Sequence, residues 1–200
     1  MINANADAMG IIFPNNYDKF VPELVSERLM ASIPFASRYR MIDFLLSSMV
    51  GCGIDKIEVL VRENYHSLVD HLGGGREWDL SRKNGGLSIF PPFAQKSIGS
   101  MGGGRVEALA NILPVLKKQK EKYVIMADTN IAANFDFNAL IAQHVKTDAD
   151  ITFAYTKEEL PQELTGAKDA SKGLYYTLKL DGVKVEDIYI NKQEQGVQNF

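Results

Sequence analysis

The sequence predicts an α/β fold with an open, mostly parallel sheet covered by helices on both faces. Short apolar runs rich in β-branched residues alternate along the chain with segments of helical spacing, an order typical of parallel sheets. With 46% hydrophobic content, 200 residues suffice for one such domain with a sizeable core. The predicted strands are Gly10–Phe13, Ile57–Val61, Tyr123–Ala127 and Ile151–Tyr155.

Helices are predicted between these strands. They are Met41–Val50, His66–Leu72, Val106–Leu116 and Phe137–Val145. Gly51 is expected to cap the first of them, and Gly73 to close the second. Pro114 removes a backbone donor inside the third, so it is expected to kink or restart that helix.

The remaining segments predict smaller features. Leu87–Phe90 is consistent with a small strand, and Pro91–Gly104 is a long loop that suits a flap over a site. Leu174–Leu180 and Val185–Ile190 alternate around Asp181-Gly182, a pair typical of a hairpin turn.

Composition excludes several classes of function. The net charge of −3 gives no reason to expect nucleic acid or a membrane surface as a partner. No apolar run approaches the length of about eighteen residues that would indicate a transmembrane helix. The polar N-terminus does not resemble a signal peptide, and the single Cys52 cannot form an internal disulfide. These features predict a cytoplasmic protein.

The loop after the first strand lies where open α/β sheets bind their ligands. In a nucleotide-binding protein this loop is usually rich in glycine, because backbone N–H groups must approach phosphate oxygens closely. Here Pro14–Phe20 contains no glycine. The sequence therefore predicts that this loop does not wrap an anion.

The most specific signal lies in Ile33–Ile54. This stretch contains Arg40-Met41-Ile42-Asp43-Phe44, and it resembles the Y-R-x-I-D-F-x-L-S-N-x-x-x-S-G-I motif of glucose-1-phosphate adenylyltransferases, also called ADP-glucose pyrophosphorylases. Within that family, Trp78–Leu87 and Phe90–Phe93 are more similar to the non-catalytic subunits that act in glycogen biosynthesis than to the catalytic ones. The resemblance extends over nearly all of the chain.

This resemblance implies a Rossmann-like nucleotidyltransferase sheet. It also implies that residues 1–200 form the N-terminal part of a longer protein, followed by the rest of that domain and a left-handed β-helix. The family joins a sugar 1-phosphate to the α-phosphorus of ATP and releases pyrophosphate. Such chemistry needs a backbone and basic cradle for the triphosphate, with Mg²⁺ held by carboxylates.

The phosphate-binding positions depart from the family pattern. Active members carry G-G-x-G-T-R-L after the first strand and R-A-K-P-A-V-P-F shortly afterwards. An ungapped alignment retains Arg28 and places the three glycines on Asn15, Asn16 and Asp18, the first arginine on Phe20 and the lysine on Met30. These changes remove both the glycine-rich turn and its countercharge, and Asp18 at the third glycine would repel a triphosphate unless a metal or Lys19 intervened.

The metal position is the next to differ. Active members carry L-A-G-D-H-I-Y at the end of the central strand, and their aspartate holds Mg²⁺. Here the segment reads Met126–Ala132, and the aspartate is assigned to Asn130, whose amide is a poor ligand for Mg²⁺. Asp128 lies two residues earlier on the same face of an extended strand, so it is an alternative metal ligand.

Four further residue groups have weaker signals. Gly104-Arg105 occupies the place of a glycine-threonine pair before a long helix, and Arg62 that of a glutamine. Arg38 and Arg40 could bind phosphate, but a structural pairing of Arg40 with Asp43 is favoured. His66 and His71 are five residues apart, which predicts solvated or capping side chains and no metal pair.

These observations favour a regulatory, catalytically impaired subunit that binds catalytic glucose-1-phosphate adenylyltransferase subunits and, in addition, a sugar-phosphate effector. No firmly bound cofactor is expected. The alternative is a weakly active nucleotidyltransferase that uses Asp128 to hold Mg²⁺ and requires ATP. A dinucleotide-binding oxidoreductase is disfavoured, because no G-x-G-x-x-G links a strand to a helix.

Overall fold

The computed structural model describes residues 7–14, 18–82, 85–91, 105–157, 175–191 and 197–199. The chain divides into two compact units, Met1–Ile141 and Ala142–Phe200.

The described residues of the first unit form six strands, and α5 (Phe137–Thr147) begins there. Its strands are β1 (Ala8–Phe13), β2 (Pro34–Phe35), β3 (Tyr39–Arg40), β4 (Lys56–Leu60), β5 (Gly86–Phe90) and β6 (Tyr123–Asp128). Its helices are α1 (Pro22–Val25), α2 (Met41–Gly51), α3 (His66–Leu72), α4 (Arg105–Leu116) and the first part of α5 (Phe137–Thr147). Short 3₁₀ turns occur at Asp18–Phe20, Met30–Ser32 and Arg76–Trp78.

Four of these strands form one parallel sheet in the order β5-β4-β1-β6. All six residues of β1 are buried, as expected for a parallel strand that is covered on both faces. The open, mostly parallel sheet predicted from the sequence is confirmed, and β5 adds the small strand that was expected at Leu87–Phe90.

Helices cover both faces of this sheet. On one face, Ile12, Val59 and Ile125 pack in a cluster with Ile42 and Leu46 from α2. On the other face, a second cluster joins sheet residues to the α4 residues Ala108 and Ile112; the sheet residues are Met9, Ile11, Phe13 and Leu60. Side chains of β1 point alternately to the two faces of the sheet, so this strand contributes to both clusters.

Two local predictions need correction. The segment 151–157 contains no strand, and Ile151 is 67% exposed. The β-branched residues of this segment favour a strand, but a strand also needs a neighbouring strand to hydrogen-bond with. No described strand pairs with this segment. Gly51 is the last residue of α2 and does not cap it; the left-handed backbone occurs at Gly53, with φ of 81°.

The prediction for Gly73 is confirmed, since it ends α3 with φ of 50°. The expected restart at Pro114 is wrong, because α4 is one helix from Arg105 to Leu116. The loop predicted as a flap lies outside the described residues from Pro92 to Gly104. Within the described ranges, no helix combines the length and apolarity needed to cross a membrane.

Asp43 fixes the start of α2. One carboxylate oxygen accepts the backbone N–H of Arg40 at 2.9 Å, and the other contacts Nε2 of His71 on α3 at 2.6 Å. The guanidinium of Arg40 donates instead to the Ser32 carbonyl and to the Ser67 hydroxyl. The predicted pairing of Arg40 with Asp43 is thus made through the backbone.

The expectation that His71 is a solvated or capping side chain also needs correction. His71 is neither solvated nor a cap, because it pairs with Asp43 and its ring meets Trp78 edge-on at 5.9 Å. His66 is exposed and stacks on the ring of Tyr65, so the two histidines form no metal pair. Spacing along one helix could not reveal a partner that lies on another.

The second unit contains the antiparallel sheet β8-β7-β9, formed by β7 (Tyr176–Asp181), β8 (Lys184–Ile190) and β9 (Val197–Asn199). The predicted hairpin is confirmed, and Gly182 supplies its left-handed turn residue with φ of 59°. In the same unit, the His144 ring contacts the Thr152 hydroxyl at 2.8 Å.

Replacement of Gly86 is expected to destabilise the protein. Gly86 has φ of 83°, and a Cβ there would collide with the backbone carbonyl of Leu80, which accepts the N–H of Leu87. Gly86→Ala should lower the free energy of unfolding by about 2 kcal/mol or more, measured by urea denaturation of the full-length protein. Gly51→Ala is the control: no atom lies within 4 Å of its Cβ, and a gain of about 0.5–1 kcal/mol is expected. Equal effects would contradict this account.

His71→Ala should also destabilise the protein, because it removes a partner from the largely buried carboxylate of Asp43. A loss of about 1–3 kcal/mol in the free energy of unfolding is expected. The exposed His66 is the matched control, and His66→Ala should change stability by less than about 0.5 kcal/mol. A harmless His71→Ala variant would show that Asp43 does not need this contact.

Candidate functional site

The carboxyl ends of the parallel strands meet at one edge of the sheet, where open α/β folds bind ligands. The register pairs Phe13 at the end of β1 with Asp128 at the end of β6. On the other side of β1, Ile12 pairs with Val59 of β4, so Arg62 follows at the same edge. Three of the segments singled out in the sequence therefore converge here.

Asp18 has a structural role in the loop after β1. Its side-chain Oδ1 accepts the backbone N–H of Met30 at 2.9 Å, and its carbonyl accepts the N–H of Val21. The N–H of Met30, at the position of the family lysine, is therefore directed to a carboxylate of the protein. Asn15 and Asn16 lie outside the described residues, so the prediction that this loop does not wrap an anion stays a prediction.

The other phosphate-side positions are half-buried. Phe20 ends the 3₁₀ turn that Asp18 begins, and Met30 begins the next. Arg28 lies just after Val25 and Ser26, whose carbonyls accept the side-chain amide of Asn64 at 3.4 and 3.3 Å. This contact ties the segment before Arg28 to the loop that follows Arg62. Both arginines are half-buried.

The strongest feature of the edge is an ion pair between Arg105 and Asp128. Arg105 is the first residue of α4, and its guanidinium binds the carboxylate of Asp128, whose side chain is 13% exposed. The same guanidinium lies over the ring of Phe13, 5.9 Å from its centroid. Sequence reasoning singled out both charged residues but did not pair them. The neighbouring Gly104 lies outside the described residues.

Thr129 and Asn130 follow β6 directly. Thr129 is buried with its hydroxyl 3.5 Å from the carbonyl of Pro14, and Asn130 is exposed. When the alanine and isoleucine of the L-A-G-D-H-I-Y motif are matched to Ala127 and Ile131, its aspartate falls on Thr129 and its glycine on Asp128. On this alignment the metal position implied by the resemblance is Thr129, one residue before Asn130, and its side chain carries a hydroxyl.

Hydrogen bonds join the loop after β6 to α2 and to Cys52, the residue that follows α2. The Ser48 hydroxyl accepts the N–H of Phe135 at 3.1 Å and lies 3.3 Å from the carbonyl of Ala133. One turn later, the thiol of Cys52 faces the carbonyl of Phe135 at 3.8 Å. The sequence gave no sign of this contact, because Ser48 and Cys52 are more than 80 residues away from the loop that they hold.

Metal-binding side chains are sparse in the ranges that the structure describes. No group of three or more His, Cys, Asp or Glu residues there lies close enough to hold an ion. The site thus combines an internal ion pair, a hydroxyl, an exposed amide and two half-buried arginines.

Known proteins are similar to this chain in sequence and in fold. A family model described as "Nucleotidyl transferase" matches residues 23–166. A glycogen biosynthesis protein GlgD from Geobacillus stearothermophilus is 36% identical over 74% of this chain and 43% of its own length, and one from Bacillus subtilis is 29% identical over 96% of this chain and 56% of its own length. A glucose-1-phosphate adenylyltransferase from Thermomicrobium roseum is 35% identical over 66% of this chain and 31% of its own length. The chain thus spans about half the length, or less, of these curated relatives.

A solved structure from Bacillus anthracis, described as a candidate glucose-1-phosphate thymidylyltransferase, has a TM-score of 0.64 with 13% sequence identity. The match covers 96% of this chain and 68% of the other, and at this identity it supports the fold alone. The sequence resemblance to glucose-1-phosphate adenylyltransferases and to GlgD proteins is confirmed. The family match covers most of the chain, and the chain belongs to the nucleotidyl transferase family.

Proposed function

We propose that this chain is part of a regulatory, catalytically impaired subunit of a glucose-1-phosphate adenylyltransferase that acts in glycogen biosynthesis and assembles with catalytic subunits. The names of its relatives support the pathway and the enzyme class. The observation that carries the proposal of impaired catalysis is the Arg105–Asp128 ion pair. A cytoplasmic location is the expectation for such a subunit.

The donor set at the end of β6 does not suit Mg²⁺. Magnesium prefers carboxylate oxygens and several waters in octahedral geometry. Asp128 supplies the carboxylate here, but a guanidinium already neutralises it, and a divalent ion would have to displace that cation. Thr129 offers a largely buried hydroxyl, and Asn130 offers a neutral amide. We therefore derive no metal-dependent step.

The positions that would neutralise a triphosphate are also altered. Asp18 directs negative charge to the N–H of Met30, and Phe20 has no charge. Arg28 and Arg62 keep positive charge near this edge. One retained arginine, Arg28, and one that replaces a glutamine, Arg62, suit the binding of a sugar phosphate as an effector better than phosphoryl transfer without a metal.

One observation favours a second candidate, a weakly active nucleotidyltransferase with Mg²⁺ and ATP. Asp128 does place a carboxylate at the end of the central strand. For that activity, Arg105 would have to release it and a metal would have to take its place.

Pyrophosphate release from ATP and glucose 1-phosphate tests the proposal on the full-length protein without its partner. The wild type is expected to give only background release, and Asn130→Asp or Thr129→Asp should restore little. Loss of one electrostatic contact in a transition state costs about 3–4 kcal/mol, so a single restored carboxylate cannot replace several missing groups. Robust turnover by the wild type that Asp128→Ala abolishes would establish the second candidate instead.

The same protein should alter the turnover of catalytic glucose-1-phosphate adenylyltransferase subunits when the two are mixed. A mixture whose mass and turnover equal those of the separate components would contradict the proposed assembly.

The Arg105–Asp128 pair is expected to couple energetically. In a double-mutant cycle of Arg105→Ala and Asp128→Ala, the double variant should be about 0.5–3 kcal/mol more stable than the sum of the two single losses predicts. The free energy of unfolding is the measured quantity. The exposed pair Lys179–Glu186 in the other unit is the control and should couple by about 1 kcal/mol or less. Additive losses at Arg105 and Asp128 would remove the main support for the proposal.

A further inference from the structure

A buried carboxylate lies under α4, away from the candidate site. Glu58 is in the middle of β4 and only 3% exposed. Its register partners on the neighbouring strands are Ile11 of β1 and Ser88 of β5. Residues in register on parallel strands share a face of the sheet, and Ile11 packs against Ala108 and Ile112. Glu58 therefore faces α4.

Two buried side-chain atoms, Oε2 of Glu58 and Nδ2 of Asn111, have no hydrogen-bond partner in the part of the chain that the structure describes. On α4, the apolar groove beside β6 is lined by Val106, Ala110 and Leu113, so Asn111 lies on the opposite side of the helix, towards β4. An acceptor and a donor thus remain unsatisfied on the same side of α4. Such groups are costly to bury, above all when one can carry a charge.

Few groups compensate a charge on Glu58. Ser88 makes a side-chain hydrogen bond to it, β1 presents the apolar Ile11, and α4 presents the neutral Asn111. Within the described ranges, two charged side chains act on it, Lys56 from its own strand and Glu121 from the segment after α4. Lys56 is already engaged, since its Nζ donates to Gln119 and lies 3.3 Å from the carboxylate of Glu121.

We propose that Glu58 is a proton-linked latch between the sheet and α4: the neutral acid lets the helix pack on the sheet, and ionisation loosens it. This inference does not depend on the proposed function. It bears on the candidate site because α4 begins at Arg105, which holds Asp128. Loosening of the helix would free that carboxylate.

The direction of the pH dependence follows from burial. Burial raises the pKa of Glu58 above its ordinary value of 4.5; the Ser88 hydrogen bond and Lys56 oppose this, and Glu121 adds to it. The folded state therefore binds this proton more tightly than the unfolded state. The stability that Glu58 contributes is fully present below pH 4.5 and is lost as the pH rises through the raised, folded-state pKa.

Hydrogen exchange of the α4 amides tests the latch in the full-length protein. We compare the wild type, Glu58→Gln and Glu23→Gln, the last being a control at an exposed carboxylate of α1. At each pH, the protection factors of residues 105–116 in the wild type, and likewise in Glu23→Gln, are divided by those of the same residues in Glu58→Gln. Effects of pH that both proteins share cancel in this ratio. This ratio should fall by up to about tenfold per pH unit above pH 4.5 and then level off. Glu23→Gln should follow the wild type.

A constant ratio over this range would overturn the proposal. A second measurement needs only the wild type, so it holds even where Glu58→Gln does not fold. Titration of the Glu58 side-chain carboxyl carbon by NMR should give a pKa above 4.5, and a midpoint at or below this value would also overturn the latch.

Discussion

The burial of β1 on both faces is the constraint on which the rest of the first unit depends. Its N–H and C=O groups pair with β4 on one side and with β6 on the other, so its ladder is satisfied without water. Its side chains alternate between the α2 face and the α4 face. Register then decides which residues meet at the carboxyl edge. Phe13 lies beside Asp128 because Gly10 lies beside Ile125 three residues earlier.

The edge of the sheet is held by contacts in which the polar groups of the candidate site bind other parts of the chain. Asp18 binds the N–H of Met30, Arg105 binds Asp128, and the Thr129 hydroxyl faces the carbonyl of Pro14. Each contact joins two parts of the same chain, so the site is stabilised without a ligand. A preformed site usually leaves such groups free for the ligand, and this difference supports the proposal that the domain serves in assembly.

The sequence predicted the fold better than it predicted the site. The strands β1, β4 and β6 and the helix α2 were predicted within about two residues, because burial on both faces and helical spacing are local patterns. Ile151–Tyr155 failed because the pattern cannot name a ladder partner. The prediction for His71 failed, and the contact of Ser48 was not predicted at all, for a related reason: their partners Asp43 and Phe135 lie in other parts of the fold. Only the topology brings such residues together.

The ion pair between Arg105 and Asp128 could have been predicted if the two substitutions had been considered together. Each was noted alone, the arginine in place of a threonine and the aspartate beside the metal position. Both flank elements that end or begin at the carboxyl edge of a parallel sheet, so the fold class alone places them close together. A new cation and a new anion at one edge neutralise each other, whereas either one alone would lack this countercharge. The two substitutions are therefore best understood as one change, and under the proposed function the guanidinium of Arg105 takes the place that a metal ion would need.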